Sequence, residues 1–307
     1  MVVGYIKLEN VSGIFSKIIG IEIRKFDNNY VIDISKDNNL VRKRLVKYIR
    51  KLEIEALVFS KELEGNFKEE VCKLLGKKID IVNGKRLMEY MEFEIAKYIL
   101  NKQGTNTKEE DIYIIFKKET GLDLNFLKRF IENFKVTNIV TNDIERLKNV
   151  QENLLENDGI LIAVSNNKKK ALKRAKYVIN INLNKEELEK YTINRNSIII
   201  NIRENVKYSN HGFDGVNINY FDISCPDEYV EKFEQIGSIE ANFDLVKLYE
   251  SILLCNNMQK QELEAVYERI KKDDICVTGL IGNNGRISDE ELQKIHTANI
   301  DKMRKLV

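Results

Sequence analysis

The stretch DIYIIFKKETGLDLNFLKRF, residues 111–130, predicts a buried strand, a tight turn and an amphipathic helix in direct succession. In nucleotide-binding α/β folds, the turn between such a strand and helix carries three glycines that let a pyrophosphate approach the backbone. The turn in this chain, KKETGL, contains only Gly121. The stretch therefore predicts the architecture of such a fold without the residues on which its usual phosphate contacts depend.

Strands alternate with helices along most of the chain, and parallel strands need such crossovers. Beyond a polar linker at 101–111, the predicted strands are nearly continuous apolar runs, as expected when helices cover both faces of a sheet. The sequence predicts an α/β fold with three parts. These are an N-terminal mixed α/β domain (1–104), a doubly wound Rossmann-like parallel-sheet domain (105–225) and a helical C-terminal segment (226–307).

Four local patterns carry more specific expectations. The apolar run IFSKIIGIEIRKF (14–26) predicts a strand, and GKRLMEYMEFEIAKYIL (84–100) predicts one long helix. Lys168–Ala175 is expected to form a short helix. Near the C-terminus, the Gly-Asn-Asn-Gly sequence at 282–285 predicts a turn that leads into a last helix capped by Ser288.

Charge and composition exclude several classes of partner. Basic and acidic residues nearly cancel, at 50 and 48, so no global field attracts nucleic acid or an anionic membrane. Two basic clusters, at 41–51 and 166–176, fall on predicted helices and favour a solvated face. No apolar run approaches the ~18 residues of a membrane span. We therefore expect no membrane partner, and a nucleic-acid partner is unsupported but not excluded.

The cysteine and histidine counts restrict the chemistry further. The four cysteines have no paired spacing and no signal peptide precedes them, which predicts reduced thiols in a cytoplasmic protein. The chain has only two histidines, so a histidine-based metal cluster is excluded by number. We expect no metal site.

The order of elements, together with four segments, resembles a known group of enzymes. The segments are VTNIVTND (136–143), ILIAVSNN (160–167), AKYVININ (175–182) and GFDGVNINYFDIS (212–224). Over about residues 50 to 255, the chain resembles the amino-acid-dehydrogenase-like group, which includes shikimate dehydrogenase and methylenetetrahydrofolate dehydrogenase. The resemblance implies NAD(P) binding, hydride transfer and a catalytic lysine on the N-terminal domain that is partnered by an acid.

The loop after the first strand departs from that group. Residues 117–120 (KKET) occupy the space of the diphosphate, and the carboxylate of Glu119 would repel it. Gly121 permits a positive φ before the helix. Asp123 can cap the helix by accepting from the N–H groups that a phosphate would otherwise use. These residues favour a degenerate site.

Other residues keep a dinucleotide site open as an alternative. Lys117 and Lys118 can hold phosphates as point charges. Asn142 and Asp143 follow the second strand, where an acidic residue would bind a ribose hydroxyl, although we favour Asp143 as the N-cap of the next helix. Ser165–Asn166, after the third strand, either contacts a ribose or a small acid, or simply turns the chain.

Candidate catalytic groups are few. Lys85 follows a predicted strand of the N-terminal domain, but an ordinary surface lysine is the preferred interpretation. His211 has the intrinsic pKa of an acid–base group, although its neighbours SNHGFDG indicate a plain loop. Cys225 has no histidine nearby in the sequence that could activate its thiol.

Three functions remain open at this point. The first is a degenerate dehydrogenase relative without a cofactor, which binds a small ligand at an interdomain cleft, or a protein partner, without redox turnover. The second is an active NAD(P)-dependent oxidoreductase with an unusual phosphate grip. The third is a scaffold or homodimer whose helices after Leu254 mediate association.

Overall fold

A computed structural model describes residues 1–76, 79–117, 124–159, 162–239, 241–256 and 263–304. The chain is an α/β protein with two sheets, in both of which most of the strand pairs are parallel. It divides into two compact units. The first comprises Met1–Leu87 with Ile223–Ile275, and the second comprises Met88–Asp222 with Cys276–Val307. No helix in the described ranges is both long and apolar enough to cross a bilayer.

The first unit is built on a five-stranded sheet in the order β2-β3-β1-β4-β5, in which only β2 and β3 are antiparallel. Its strands are β1 Val3–Leu8, β2 Ile21–Phe26, β3 Asn29–Ile34, β4 Ala56–Phe59 and β5 Asp80–Ile81. Its helices are α1 Ile14–Ile19, α2 Asn39–Lys51, α3 Asn66–Leu75, α9 Asp227–Glu234, α10 Leu245–Cys255 and α11 Leu263–Lys272, with α4 Lys85–Tyr90 at the unit boundary. A short 3₁₀ turn spans Lys61–Leu63.

The strand predicted at 14–26 is wrong in its first half. Residues 14–19 form α1, and β2 begins only at Ile21. Gly20 separates the two elements because its φ of 76° ends the helix, and its N–H donates to the carbonyl of Ser16. A short segment rich in apolar residues does not distinguish a helix from a strand, and the prediction was wrong for this reason.

The second unit contains an eight-stranded sheet in the order β13-β12-β11-β10-β9-β6-β7-β8. Its strands are β6 Asp111–Phe116, β7 Val136–Thr141, β8 Ala163–Ser165, β9 Tyr177–Asn180, β10 Ile198–Asn201, β11 Val216–Ser224, β12 Cys276–Gly282 and β13 Gly285–Ile287. Its helices are α5 Glu92–Lys102, α6 Leu124–Asn133, α7 Ile144–Asp158, α8 Lys185–Leu188 and α12 Asp289–Arg304, with a 3₁₀ turn at Thr107–Glu109.

The first six strands of this sheet confirm the predicted doubly wound fold. Numbered from β6, they lie in the order 3-2-1-4-5-6, and every pair among them is parallel. This is the strand order of Rossmann folds. The central strands β9 and β10 are buried along their whole length, in agreement with their continuous apolar runs. Helices connect β6 to β7, β7 to β8 and β9 to β10.

Three further expectations need correction. The predicted single helix at 84–100 is two helices, α4 and α5, which meet at Met91. Residues 168–174 form turns and no helix. The turn at 282–285 is confirmed, but two strands flank it, so the C-terminal segment is not purely helical. A strand of three to seven residues next to glycines has too weak an apolar periodicity to be predicted from the sequence.

Specific contacts show which segments of the chain pack together within each unit. In the second unit, the ring of Phe93 on α5 packs edge-on against those of Phe130 and Phe134, at centroid distances of 5.5 and 6.3 Å. In the first unit, the hydroxyl groups of Tyr5 on β1 and Ser251 on α10 share a buried hydrogen bond of 2.9 Å. Residues 223–275 therefore pack with a sheet that is formed some 200 residues earlier.

Candidate functional site

The switch point of the second sheet lies between β6 and β9, where the strand order changes direction. In open α/β sheets, ligands bind outside the carboxyl ends of the strands at this point. The register pairs Phe116 with Thr141 and Val140 with Ser165. The structure thus brings the residues that follow β6, β7 and β8 to one edge, including Lys117, Asn142–Asp143 and Ser165–Asn166.

Lys117, the first residue after β6, is engaged within the chain. Its backbone N–H donates to Oδ1 of Asn182 at 2.9 Å, and its Nζ lies 2.6 Å from Oε2 of Glu187. Asn182 and Glu187 both follow β9, the strand on the other side of the switch point. The segment after β9 therefore bridges the position where a pyrophosphate would meet the backbone.

Glu187 is fixed for this contact by its own helix. It forms a capping box with Asn184, whose side chain accepts from the N–H of Glu187 while the Glu187 carboxylate accepts from the N–H of Asn184. Burial opposes ionisation, but the Lys117 ammonium and the Asn184 N–H hold the pKa of Glu187 below its ordinary value. A charged Glu187 thus faces the ammonium of Lys117.

The rest of the loop lies outside the described residues. Lys118, Glu119, Thr120, Gly121 and Asp123 all fall within 118–123. The predicted capping role of Asp123 and the positive φ of Gly121 stay predictions.

The residues after β7 do not form the favoured cap. Asp143 stands at the N-cap position of α7, yet its side chain makes no capping hydrogen bond. Its backbone N–H donates instead to Oγ1 of Thr141 at 3.2 Å. Asn142 is exposed. The favoured capping role of Asp143 is therefore wrong, and both residues remain at the edge where a ribose would be recognised.

Ser165 and its neighbours shape a turn after β8. The hydroxyl of Ser165 accepts from the N–H of Asn167 at 3.2 Å, and Oδ1 of Asn167 accepts from the N–H groups of Lys169 and Lys170. Asn166 is exposed. Of the two open interpretations, these bonds support the turn.

A row of buried asparagines crosses the carboxyl edge of β9, β10 and β11. Nδ2 of Asn180 donates to Oδ1 of Asn201 at 2.9 Å, and Nδ2 of Asn201 donates to Oδ1 of Asn219 at 3.0 Å. Nδ2 of Asn219 then donates to Asn283 in the β12–β13 turn, at 2.9 Å. We call Asn180, Asn201, Asn219 and Asn283 the asparagine ladder.

The ladder also binds the loops that follow its strands. Asn180 exchanges two hydrogen bonds with the backbone of Leu183, while Val206 donates to Asn219 and accepts from Asn201. A buried amide without partners would be costly, so these bonds fix both loops. The sequence did not predict the ladder. Its only sign in the sequence is an asparagine within or at the end of each of three apolar strands.

Lys85 lies in the first unit, at the start of α4. It is half-buried, and burial lowers its pKa to about 8. Glu250 of α10 reaches the same helix start, where its Oε2 accepts from the N–H of Leu87 at 3.1 Å. Burial raises the pKa of Glu250 to about 7. Acid–base groups of enzymes have pKa values in this range, so Lys85 stays a candidate beside its interpretation as an ordinary surface lysine.

Glu92, in the second unit, is a second buried acid that the sequence did not reveal. Burial raises its pKa well above the ordinary value, Glu89 adds to the rise, and Arg203 and Arg129 partly offset it. Among the described residues, no hydrogen-bond partner lies within reach of its Oε2. Arg203 follows β10 at the carboxyl edge and pairs with Glu89 at 2.6 Å. Burial therefore favours the neutral form of the Glu92 carboxyl group.

His211 and Cys225 have less suitable surroundings. His211 is exposed in the turn before β11, at the amino edge of the sheet, opposite the edge where ligands bind. Cys225 follows β11, and burial raises the pKa of its thiol to about 12. A thiol with that pKa is a poor nucleophile at neutral pH.

The first unit contains a cavity of about 600 Å³ beside the amino end of β1 and the β2–β3 turn. Aromatic rings and ammonium groups line it, among them Tyr5, Lys25, Phe26, Tyr30, Lys232 and Phe233. Lys232 also pairs with Asp27 at 2.8 Å. The volume lies within the range of small-molecule sites.

No protein-family model matches the chain, and no curated protein sequence matches it. Among solved structures, L-tryptophan dehydrogenase from Nostoc punctiforme aligns with 99% of this chain and 89% of its own, at 8% identity and a TM-score of 0.30. Aspartate transcarbamoylase from Trypanosoma cruzi aligns over 69% and 74%, at 11% identity and a TM-score of 0.26. These TM-scores are too low to support a classification. We therefore classify the chain as an α/β protein of Rossmann-like fold from its strand order.

Proposed function

We propose that this protein is a Rossmann-like protein whose dinucleotide site has been replaced by internal contacts. It binds a small ligand or a protein partner and transfers no hydride. The proposal depends on the two contacts that Lys117 makes within the chain. Its N–H and its ammonium are among the groups after β6 that could hold a diphosphate, and they bind Asn182 and Glu187.

The energetics support this assignment. A dinucleotide at the switch point would have to displace two hydrogen-bonded partners, one of them a charged carboxylate. Breaking the hydrogen bond to Asn182 costs about 0.5–1.5 kcal/mol and breaking the partly exposed ion pair with Glu187 at most about 1 kcal/mol, before the repulsion between Glu187 and a diphosphate is counted. The glycine-poor loop removes the close backbone approach that would offset this cost.

A ligand-binding role has independent support in the first unit. The cavity beside β1 combines the rings of Phe26 and Tyr30 with the ammonium groups of Lys25 and Lys232. Such walls suit a small planar anion. The four cysteines are free thiols, which supports a cytoplasmic location.

Titration with NADH and NADPH tests the proposal. The chain has no tryptophan, so nicotinamide emission can be followed without overlapping indole fluorescence. We expect no saturable change up to millimolar dinucleotide. A Glu187→Gln variant, which weakens the contact with Lys117, is the matched comparison. Saturation of the native protein at micromolar concentration would contradict the proposal.

An active NAD(P)-dependent oxidoreductase is the second candidate. The pKa values of Lys85 and Glu250, about 8 and about 7, favour it because the resembled enzymes use a lysine and an acid. This function requires Lys117 and Lys118 to hold the diphosphate. Their joint replacement by alanine should then weaken dinucleotide binding at least tenfold, about 1.4 kcal/mol. An unchanged affinity would leave this candidate without a phosphate grip.

The scaffold hypothesis finds less support. The apolar residues of α11 and α12, Val266, Ile270, Leu292 and Ile295, are buried within the chain. They are therefore not available for association without unfolding. Light scattering of the full chain measures its mass directly, and a monomer would count against this hypothesis.

A further inference from the structure

The helix α1 presents its apolar side chains to solvent. Ile14, Phe15 and Ile18 are 79%, 80% and 70% exposed, and α1 buries none of its residues. Leu40, at the start of α2, is 57% exposed. Single exposed apolar residues are common on proteins, whereas several on one short helix mark an interaction site. We call Ile14, Phe15, Ile18 and Leu40 the α1 patch.

The chain holds α1 firmly in this position. Nη1 of Arg44 on α2 donates to the carbonyl oxygens of Ile18 and Ile19, at 3.2 and 2.6 Å. On the other side of α1, the N–H of Ser12 donates to the carboxylate of Glu22 at 2.8 Å. The exposure is therefore part of the folded structure, because both ends of the helix are tied to neighbouring elements.

Exposed basic residues lie on the same two helices as the patch, α1 and α2, and just before α2. Lys17 lies on α1 itself, and Lys43 and Lys47 share an exposed stripe of α2 with Leu40, at spacings of three and seven residues. Lys36 is exposed just before α2. The neighbouring acids are engaged, since Asp37 pairs with Arg42 and Glu22 accepts from Ser12. The chain is nearly neutral overall, but this surface is locally cationic.

We propose that the α1 patch inserts into the surface of an anionic phospholipid bilayer. Two features together hold a protein at such a surface. One is a set of protruding apolar side chains, and the other is a group of lysines on the same surface. Phe15, Ile14 and Ile18 enter the boundary between head groups and acyl chains. Lys17, Lys43 and Lys47 contact the anionic head groups.

Charge and area disfavour the other occupants. A second copy of the chain, related by a two-fold axis, would place the same lysines against each other. The four side chains together offer roughly 500 Å², less than the ~800 Å² that each partner contributes to a stable protein interface. A bilayer needs no complementary shape.

Co-sedimentation of the full chain with vesicles tests the proposal. We expect binding to vesicles of phosphatidylcholine with phosphatidylserine, little binding to phosphatidylcholine alone, and a loss of binding as salt increases. A variant with Ile14→Ser and Phe15→Ser should bind at least tenfold more weakly. Both residues are exposed, so the variant should keep the native melting temperature.

Two further variants keep the test specific. Lys43→Glu with Lys47→Glu should weaken binding to anionic vesicles, whereas Leu155→Ser, at an apolar residue of the second unit that is 49% exposed, should not. Absence of binding to anionic vesicles overturns the proposal. So does equal binding by the native chain and the Ile14→Ser, Phe15→Ser variant. A dimer in light scattering that this variant abolishes would assign the patch to a second copy.

Discussion

Glu250 illustrates how burial changes the chemistry of one residue. Its side chain is 2% exposed, and its carboxylate accepts from the N–H of Leu87 at the start of α4. Desolvation disfavours the charged form more strongly than this hydrogen bond favours it, so its pKa is raised from 4.5 to about 7. Glu250 therefore changes charge near physiological pH.

The pKa of Glu250 predicts a pH dependence of stability. The folded chain binds this proton more tightly than the unfolded chain does, so the contribution is fully present below about pH 4.5 and is lost as the pH rises through about 7. The shift corresponds to about 3 kcal/mol. Glu250→Gln keeps an acceptor for Leu87 but does not titrate, so it should reduce the fall in stability between these pH values.

Urea unfolding of both proteins at pH 5 and pH 8 measures this effect. Between pH 5 and pH 8, the free energy of unfolding of the native chain should fall more than that of Glu250→Gln. The variant should therefore become more stable relative to the native chain at pH 8 than it is at pH 5. Parallel behaviour of the two proteins across this range would show that Glu250 does not titrate as proposed.

The strands and the loops after them are ordered by buried amides as well as by apolar packing. The asparagine ladder joins β9, β10 and β11, and its buried amides, those of Asn180, Asn201 and Asn219, are each bonded on more than one side. Removing one member leaves buried donors and acceptors of two neighbours without partners, and such groups are expensive to leave unsatisfied. The ladder therefore couples three strands to the loops at the carboxyl edge.

We predict that Asn201→Ala lowers the free energy of unfolding by about 2–3 kcal/mol, since Asn201 is fully buried and bonds both Asn180 and Asn219. Asn142→Ala is the matched control, because Asn142 lies exposed at the same edge. Its effect should stay within about 0.5 kcal/mol. Equal effects of the two changes on urea unfolding would refute a structural role for the ladder.

The same elements indicate what the sequence could and could not predict. Apolar runs located all six parallel strands of the second sheet because burial on both faces leaves a clear compositional signal. The prediction for 14–26 was wrong because Ile14, Phe15 and Ile18 face solvent in α1. In the same segment, Ile19 and Ile21 contact the core of the first unit. The ladder and the contacts of Lys117 escaped prediction because they join residues that are distant in the chain.

On the scale of the whole molecule, six parallel strands of the second sheet have the strand order of a Rossmann fold. We propose that internal contacts replace the usual ligand contacts at its switch point. At the switch point, Lys117 binds the segment after β9. The predicted residues Asn142–Asp143 and Ser165–Asn166 share the carboxyl edge, whereas His211 lies at the amino edge and Lys85 belongs to the first unit. A fold does not by itself determine an activity, so the proposed loss of dinucleotide binding is compatible with this strand order.

Hydrogen exchange of the Lys117 amide tests this account most directly. Its N–H is bonded to Oδ1 of Asn182 in the free protein, so its exchange should be slow, and Asn182→Ala should accelerate it. Addition of millimolar NADH or NADPH should leave the rate unchanged. The account is contradicted if the amide exchanges freely in the native protein and becomes protected only when a dinucleotide is added.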